Sequence, residues 1–329
     1  MPIPKLAIAA LGGTVSMQAR PGKTGVTPSL SGEDLLASVP GLPQLADIHV
    51  ETLCLLPSAS LEFRDLLLVL DWANAQVDAG ATAIIVTQGT DSLEESAFFL
   101  DLLWGKDVPM VVTGAMRPAT QPGADGPANL TAAVRVALAP ESRKRGVQVV
   151  MNDQIHSAWH VRKTDSLAVN AFTSPVFGPH GLIVENRVVY LKSPNARSTL
   201  PRPEFRDHRV AMLEAVFSDA PLLLGQVVKL GYSALVIAGF GAGHLAHSWA
   251  NCVEELTDVI PVVIASRTGA GSTARQSYGF AGSELDLISK GAFMSGLLCP
   301  RKTRILLWLL IGCEREGELA DWLERAAIA

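Results

Sequence analysis

Eight short apolar runs rich in β-branched residues punctuate this chain, at 6–11, 48–53, 83–87, 110–113, 148–152, 211–216, 234–238 and 262–265. Between most of them lie stretches with helical periodicity, at 32–38, 62–79, 92–103, 129–138, 220–230 and 245–256. Two further helices, 301–311 and 316–327, look amphipathic and are expected to cover a smaller sheet. Strands that are apolar on both faces fit a parallel sheet with helices on each side. The fold class is therefore α/β with two domains: a larger N-terminal, mostly parallel sheet flanked by helices, and a smaller C-terminal α/β domain. The one break is segment 193–209, with three prolines and no apolar periodicity, which reads as a linker between domains 1–192 and 210–329.

Composition removes several classes of function. The 329 residues are 48% hydrophobic and 18% charged, as expected for a globular protein with well-filled cores. A net charge of −5, no Lys/Arg-rich run and 6% aromatics argue against nucleic acid and anionic membrane surfaces as partners. The apolar run Ile305 to Cys313 falls far short of the roughly 20 residues that span a bilayer. A cleavable signal peptide would have to consume the first strand, so none is read and a cytoplasmic location is expected. Cys54, Cys252, Cys299 and Cys313 lie far apart without paired metal spacing, and read as buried free thiols.

Two of the apolar runs lead into glycine turns that carry a threonine. Thr14 closes Leu11-Gly12-Gly13-Thr14, and Thr90 closes Thr87-Gln88-Gly89-Thr90. In an open α/β sheet, ligands and reacting groups collect at the carboxyl ends of the strands. Asp91 and the helix start Ser92-Leu93-Glu94-Glu95 follow Thr90, with Ser92 and Glu95 at capping-box spacing. Free N–H groups at a helix N-terminus would favour the negative charge of a tetrahedral oxyanion. The plainer reading is that Thr90-Asp91-Ser92 only caps a helix. Lys163, in His160-Val161-Arg162-Lys163-Thr164-Asp165, would accept a proton from a threonine hydroxyl if burial lowered its pKa, but most lysines are simply solvated.

Several blocks together resemble the signatures of bacterial-type L-asparaginases, of the asparaginase/glutaminase family. They are Leu11-Gly12-Gly13-Thr14-Val15, Thr87-Gln88-Gly89-Thr90-Asp91-Ser92-Leu93-Glu94-Glu95, and Val112-Thr113-Gly114-Ala115-Met116-Arg117-Pro118. Ala124-Asp125-Gly126-Pro127-Ala128-Asn129-Leu130, Arg162-Lys163-Thr164-Asp165 and Tyr278-Gly279-Phe280 complete the set, in family order and spacing across nearly the whole chain. The resemblance implies hydrolysis of the side-chain amide of L-asparagine, or of L-glutamine, through a threonine acyl-enzyme. It implies Thr14 as nucleophile, a second group of Thr90, Lys163 and Asp91, and Lys163 as proton acceptor beside Thr90. Asp91 would hold the substrate α-ammonium and Ser58 its α-carboxylate, with backbone N–H groups at Thr90 and Ala115 facing the oxyanion and Gly89 in the same turn. No metal and no cofactor are implied. A homo-oligomer is expected, a dimer or tetramer, with the site between the large domain of one subunit and the small domain of another.

Some positions depart from that pattern. Gln88 stands where the family usually has histidine, and it cannot titrate. Pro57-Ser58-Ala59 keeps the serine but loses a glutamine found beside the substrate in some members. The tyrosine usual on the loop after the first strand, near Val26 here, is missing, as is its glutamate partner around 272–277. Tyr278 and Glu284 are the nearby replacements to consider. Pro21, Gly22 and Gly25 make the intervening loop either a lid or an ordinary surface loop. His244 stands where the family has an asparagine that reaches a neighbouring subunit's site, so it is a substrate-binding candidate there or a structural histidine.

Competing readings remain on the same residues. Gly239-Phe240-Gly241-Ala242-Gly243 follows a strand and, with Arg267, invites a dinucleotide site, but it lacks the full glycine fingerprint. His156/His160 and His244/His247 have helical spacing for metal ligands without a third ligand nearby. The missing tyrosine and glutamate leave a catalytically impaired amino-acid-binding protein as an alternative, beside a glutaminase-asparaginase of broader amide specificity. The amidase subunit of an amidotransferase would carry an extra N-terminal domain ahead of the first strand, and none is read here.

Overall fold

The structure, a computed structural model, describes residues 3–13, 17–19, 26–28, 31–39 and 41–326, with only the backbone described at 17–19 and 26–28. Thr14 and the loop 21–25 lie outside the described residues, as does the side chain of Val26. The chain forms two compact units, Met1–Thr199 and Leu200–Ala329.

The first unit opens with β1 (Lys5–Ala10), an antiparallel pair β2 (Met17–Ala19) and β3 (Val26–Pro28), and the short α1 (Gly32–Ala37). There follow β4 (Asp47–Thr52), α2 (Phe63–Asp78), β5 (Ala83–Thr87), α3 (Leu93–Leu103), β6 (Met110–Thr113), α4 (Gly126–Leu138) and β7 (Val147–Met151). The unit closes with β8 (Gln154–Ser157), β9 (Arg162–Lys163), β10 (Phe172–Thr173), β11 (Gly181–Val184) and β12 (Arg187–Tyr190). Eight strands make one sheet in the order β12-β11-β8-β7-β6-β5-β1-β4. The five from β7 to β4 are parallel, and β8, β11 and β12 add an antiparallel edge. Every residue of β5 and β6 is buried, which is why both read as unbroken apolar runs.

The second unit holds β13 (Val210–Glu214), β14 (Ala234–Gly239), α5 (His247–Thr257), β15 (Val262–Ser266), α6 (Glu284–Ser289), β16 (Phe293–Met294), α7 (Pro300–Gly312) and α8 (Leu319–Arg325). Its four strands are all parallel, in the order β13-β14-β15-β16. Helix α7 packs on β13, β14 and β15 and so covers the smaller sheet as expected, but it is buried around most of its circumference from Ile305 to Leu310 and is a core helix, not an amphipathic one.

Two expected helices do not form as drawn. Segment 220–230 has only a single 3-10 turn at Leu224–Gln226. Of its apolar residues Leu224 and Val227 are buried while Leu222, Leu223 and Leu230 are exposed, so no continuous stripe faces a core. In 316–327 a 3-10 turn, Glu316–Glu318, precedes α8, with Gly317 at its centre. Segment 193–209 carries no helix or strand, yet it is tied down at two interior positions. Arg197 Nη2 donates to the carboxylate and carbonyl of Asp101 and to the carbonyl of Trp104 in the first unit, whereas the Glu204 N–H donates to the Gly312 carbonyl in the second.

Candidate active site

Strands β1 and β5 are parallel neighbours in register, with Ala10 opposite Thr87. Their carboxyl ends therefore release two turns side by side: Leu11-Gly12-Gly13 and Gln88-Gly89-Thr90-Asp91. The turns touch backbone to backbone. Gly13 has φ +83°, and a Cβ placed on it would fall 2.0 Å from the Gly89 nitrogen. Only glycine accepts both the left-handed conformation and that approach. Thr14 follows Gly13 directly in sequence and is outside the described residues.

Thr90 is buried, and Lys163 meets it from the short strand β9. Lys163 Nζ donates to Thr90 Oγ1 at 3.0 Å and to Asp91 Oδ1 at 2.9 Å. The lysine side chain is 15% exposed and the Asp91 side chain 68%, so the pair runs from the interior to an open carboxylate. The Lys163 backbone is held as well: its N–H donates at 2.5 Å to Oε2 of Glu94, a buried carboxylate in the first turn of α3.

Ser58 completes the cluster. It is buried, and its Oγ accepts the Asp91 N–H at 3.1 Å. Ser92 Oγ donates to the Ser58 carbonyl at 2.7 Å. That bond overturns the capping-box expectation: Ser92 is the N-cap residue of α3, but its side chain makes no capping hydrogen bond. Ala115 is buried just past β6, in a turn fixed by α4. Asp125 accepts from the N–H groups of Met116 and Arg117 and from Asn129 Nδ2, which also donates to the Gly114 carbonyl. Glu94, Ser92, Asp125 and Asn129 all lay within the quoted motifs, but no sequence signal gave them these roles. The i, i+4 spacing of Asp125 and Asn129 at a proline-led helix start was the one available hint.

The sequence matches two family models: "Asparaginase, N-terminal" over residues 5–196 and "Glutaminase/Asparaginase C-terminal domain" over residues 209–320. The chain belongs to the asparaginase family. Among curated relatives, the probable periplasmic L-asparaginase of Haemophilus influenzae is 35% identical, covering 94% of this chain and 89% of that protein. L-asparaginase 2 of Escherichia coli K12 is 33% identical with the same coverages, 94% and 89%. A crystal structure of a probable cytoplasmic L-asparaginase from Campylobacter jejuni superposes with TM-score 0.87 at 30% identity, covering 98% of this chain and 99% of that one.

At the positions that depart from the asparaginase pattern, local contacts are well defined. Gln88 is buried; its Nε2 donates to the Gly89 carbonyl at 3.3 Å, and its Oε1 finds no hydrogen-bond partner among the described residues. In the second unit His244 Nε2 lies 3.3 Å from Oε2 of the buried Glu284, with the rings of Tyr278 and Phe280 edge-on to its own. Glu284 Oε1 accepts the N–H groups of Ser277 and Tyr278. Burial alone would push the Glu284 carboxyl up; the backbone N–H groups of Tyr278, Ser277 and Glu284 itself, with His244, hold it below its usual range. Glu284 thus braces the Tyr278 backbone.

The remaining candidates are engaged elsewhere. Arg267 Nη1 donates to the Ala215 carbonyl at 2.7 Å and its guanidinium covers the Phe240 ring, so it is fixed within its own unit. His156 lies in strand β8, not on a helix, with Nδ1 2.9 Å from Ser174 Oγ, and His160 stacks on Phe177. All four cysteines are free, but only Cys299 is buried as expected; the other three are half-buried. Burial still pushes the Cys313 thiol up to about 11.

Proposed function

We propose that this protein hydrolyses L-asparagine to L-aspartate and ammonia through an acyl-enzyme on Thr14. The Thr14 hydroxyl oxygen attacks the carboxamide carbon, the C–N bond breaks, and ammonia leaves with a proton. Water then cleaves the resulting ester, returning the hydroxyl. Asp91 binds the α-ammonium and Ser58 the α-carboxylate, and the N–H groups at Thr90 and Ala115 face the oxyanion. Lys163 exchanges a proton with the Thr90 hydroxyl. The observation that carries this reading is the 3.0 Å hydrogen bond between Lys163 Nζ and Thr90 Oγ1 beside the Asp91 carboxylate. An amino-acid binder without turnover would have no use for a lysine held there.

The proposal extends to a cytoplasmic location and to a homo-oligomer, a tetramer, in which His244 serves a neighbouring subunit's site. Steady-state ammonia release from L-asparagine tests the activity directly: a purified protein that binds the amino acid without releasing ammonia refutes it. L-glutamine belongs in the same assay. A relative 32% identical over 83% of this chain is the glutaminase-asparaginase of Pseudomonas fluorescens, and Pro57-Ser58-Ala59 carries no glutamine.

A further inference from the structure

The Ser92 hydroxyl stands at the start of α3, where it would ordinarily accept a first-turn N–H of its own helix. It donates to the carbonyl of Ser58 instead, at 2.7 Å, across 34 positions of sequence. Ser58 is thereby held at both ends of the residue, since its Oγ accepts the Asp91 N–H at 3.1 Å. That second bond occupies an acceptor lone pair of the hydroxyl and leaves its proton as the group to offer outward. Among the described residues the Ser58 O–H meets no acceptor, and a carboxylate oxygen is the natural one. Gly89 makes the arrangement tight: a Cβ there would lie 2.7 Å from Ser58 Oγ.

Resting on the assignment of Ser58 to the substrate α-carboxylate, we propose that Ser92 is a positioning residue for that recognition. It fixes the Ser58 backbone and so the direction in which the Ser58 hydroxyl donates. Ser92 touches no reacting atom, and its contribution falls on ground-state binding of the carboxylate, which is equally present in substrate and transition state.

The test is steady-state ammonia release from L-asparagine by the wild type, Ser92→Ala, Ser92→Thr, Ser58→Ala and the Ser58→Ala/Ser92→Ala double variant. Ser92→Ala is expected to raise KM by about 3- to 10-fold, the loss of one neutral hydrogen bond, with kcat within about twofold. Ser92→Thr, which keeps the hydroxyl, restores KM. In the Ser58→Ala background the same substitution adds nothing, because the group it directs is gone. An unchanged KM, a fall in kcat in place of the KM rise, or full additivity in the double variant overturns the proposal. If Ser92→Ala does not fold, Ser92→Cys, which keeps a γ-atom of slightly larger size but hydrogen-bonds weakly, is expected to show the same KM rise. A wild type that releases no ammonia from L-asparagine is a different failure: it removes the asparaginase reading, and this inference with it.

Discussion

Glu94 and Lys163, 69 positions apart in sequence, are joined by a 2.5 Å hydrogen bond from the lysine's backbone N–H to the buried glutamate carboxylate. The bond ties β9 to the first turn of α3, so the lysine that reaches Thr90 is anchored to the helix that follows Thr90. Glu94→Ala strips that acceptor and is expected to destabilise the protein by about 1–3 kcal/mol and to lower kcat. Glu94→Gln, whose amide oxygen still accepts, should retain most of both. Urea unfolding and ammonia release measured on the two variants check this, and equal losses in both would contradict it.

Thr90→Ala and Lys163→Met each remove one end of the Nζ–Oγ1 contact. If that contact moves a proton during turnover, each costs about 10²- to 10⁴-fold in kcat while the far-ultraviolet circular dichroism stays that of the wild type. Thr14→Ala is expected to lose at least as much. Near-wild-type turnover by Lys163→Met would take the lysine out of the mechanism.

Gly13→Ala places a methyl group on a residue at φ +83°, where it would meet the Gly89 backbone at 2.0 Å. The substitution is expected to cost at least about 2 kcal/mol and to abolish activity by driving the two turns apart. Thermal unfolding together with ammonia release reads both effects, and a variant with normal stability and turnover would show that the turns tolerate separation.

The pH dependence of stability has one identifiable contributor in His180. Burial, then the charges of Lys192 and Arg145, hold its pKa down at about 4 against the usual 6.5. Between those values the unfolded chain binds a proton that the folded protein refuses. The stability contributed by neutral His180 is therefore present above about pH 6.5 and lost as the pH falls towards 4. His180→Gln is expected to flatten the dependence of the urea midpoint on pH across that window, and an unchanged slope would assign the acid sensitivity elsewhere.

The parallel core of the sheet could be read from sequence because burial on both faces leaves an apolar run with nothing else to be. Strands 83–87 and 110–113 coincide with the observed β5 and β6 for this reason. The antiparallel edge was missed. Its strands β8, β11 and β12 are half-buried and short, and their hairpins turn on Asn152-Asp153 and Glu185-Asn186, four residues with positive φ. Asn-Asp between two apolar stretches is the turn signal that marks this edge. At the site, the threonine turns announced themselves by glycine and position, but the meeting of Lys163 with Thr90 spans 73 residues and no local pattern encodes it. Resemblance to a family suggested that pair. The roles of Ser92 and Glu94 were hidden for a related reason: both residues suit a helix start, and only tertiary structure sends their side chains to Ser58 and to Lys163.

The bare contact between Gly13 and Gly89 also limits how such a protein can change. With no side chain between the two turns there is nothing compressible to absorb an inward shift, so pushing one towards the other must displace it. Neither glycine turn can move towards the other alone. Variation is free to accumulate in the surrounding strands and helices, while these two loops must be remodelled together or left as they are.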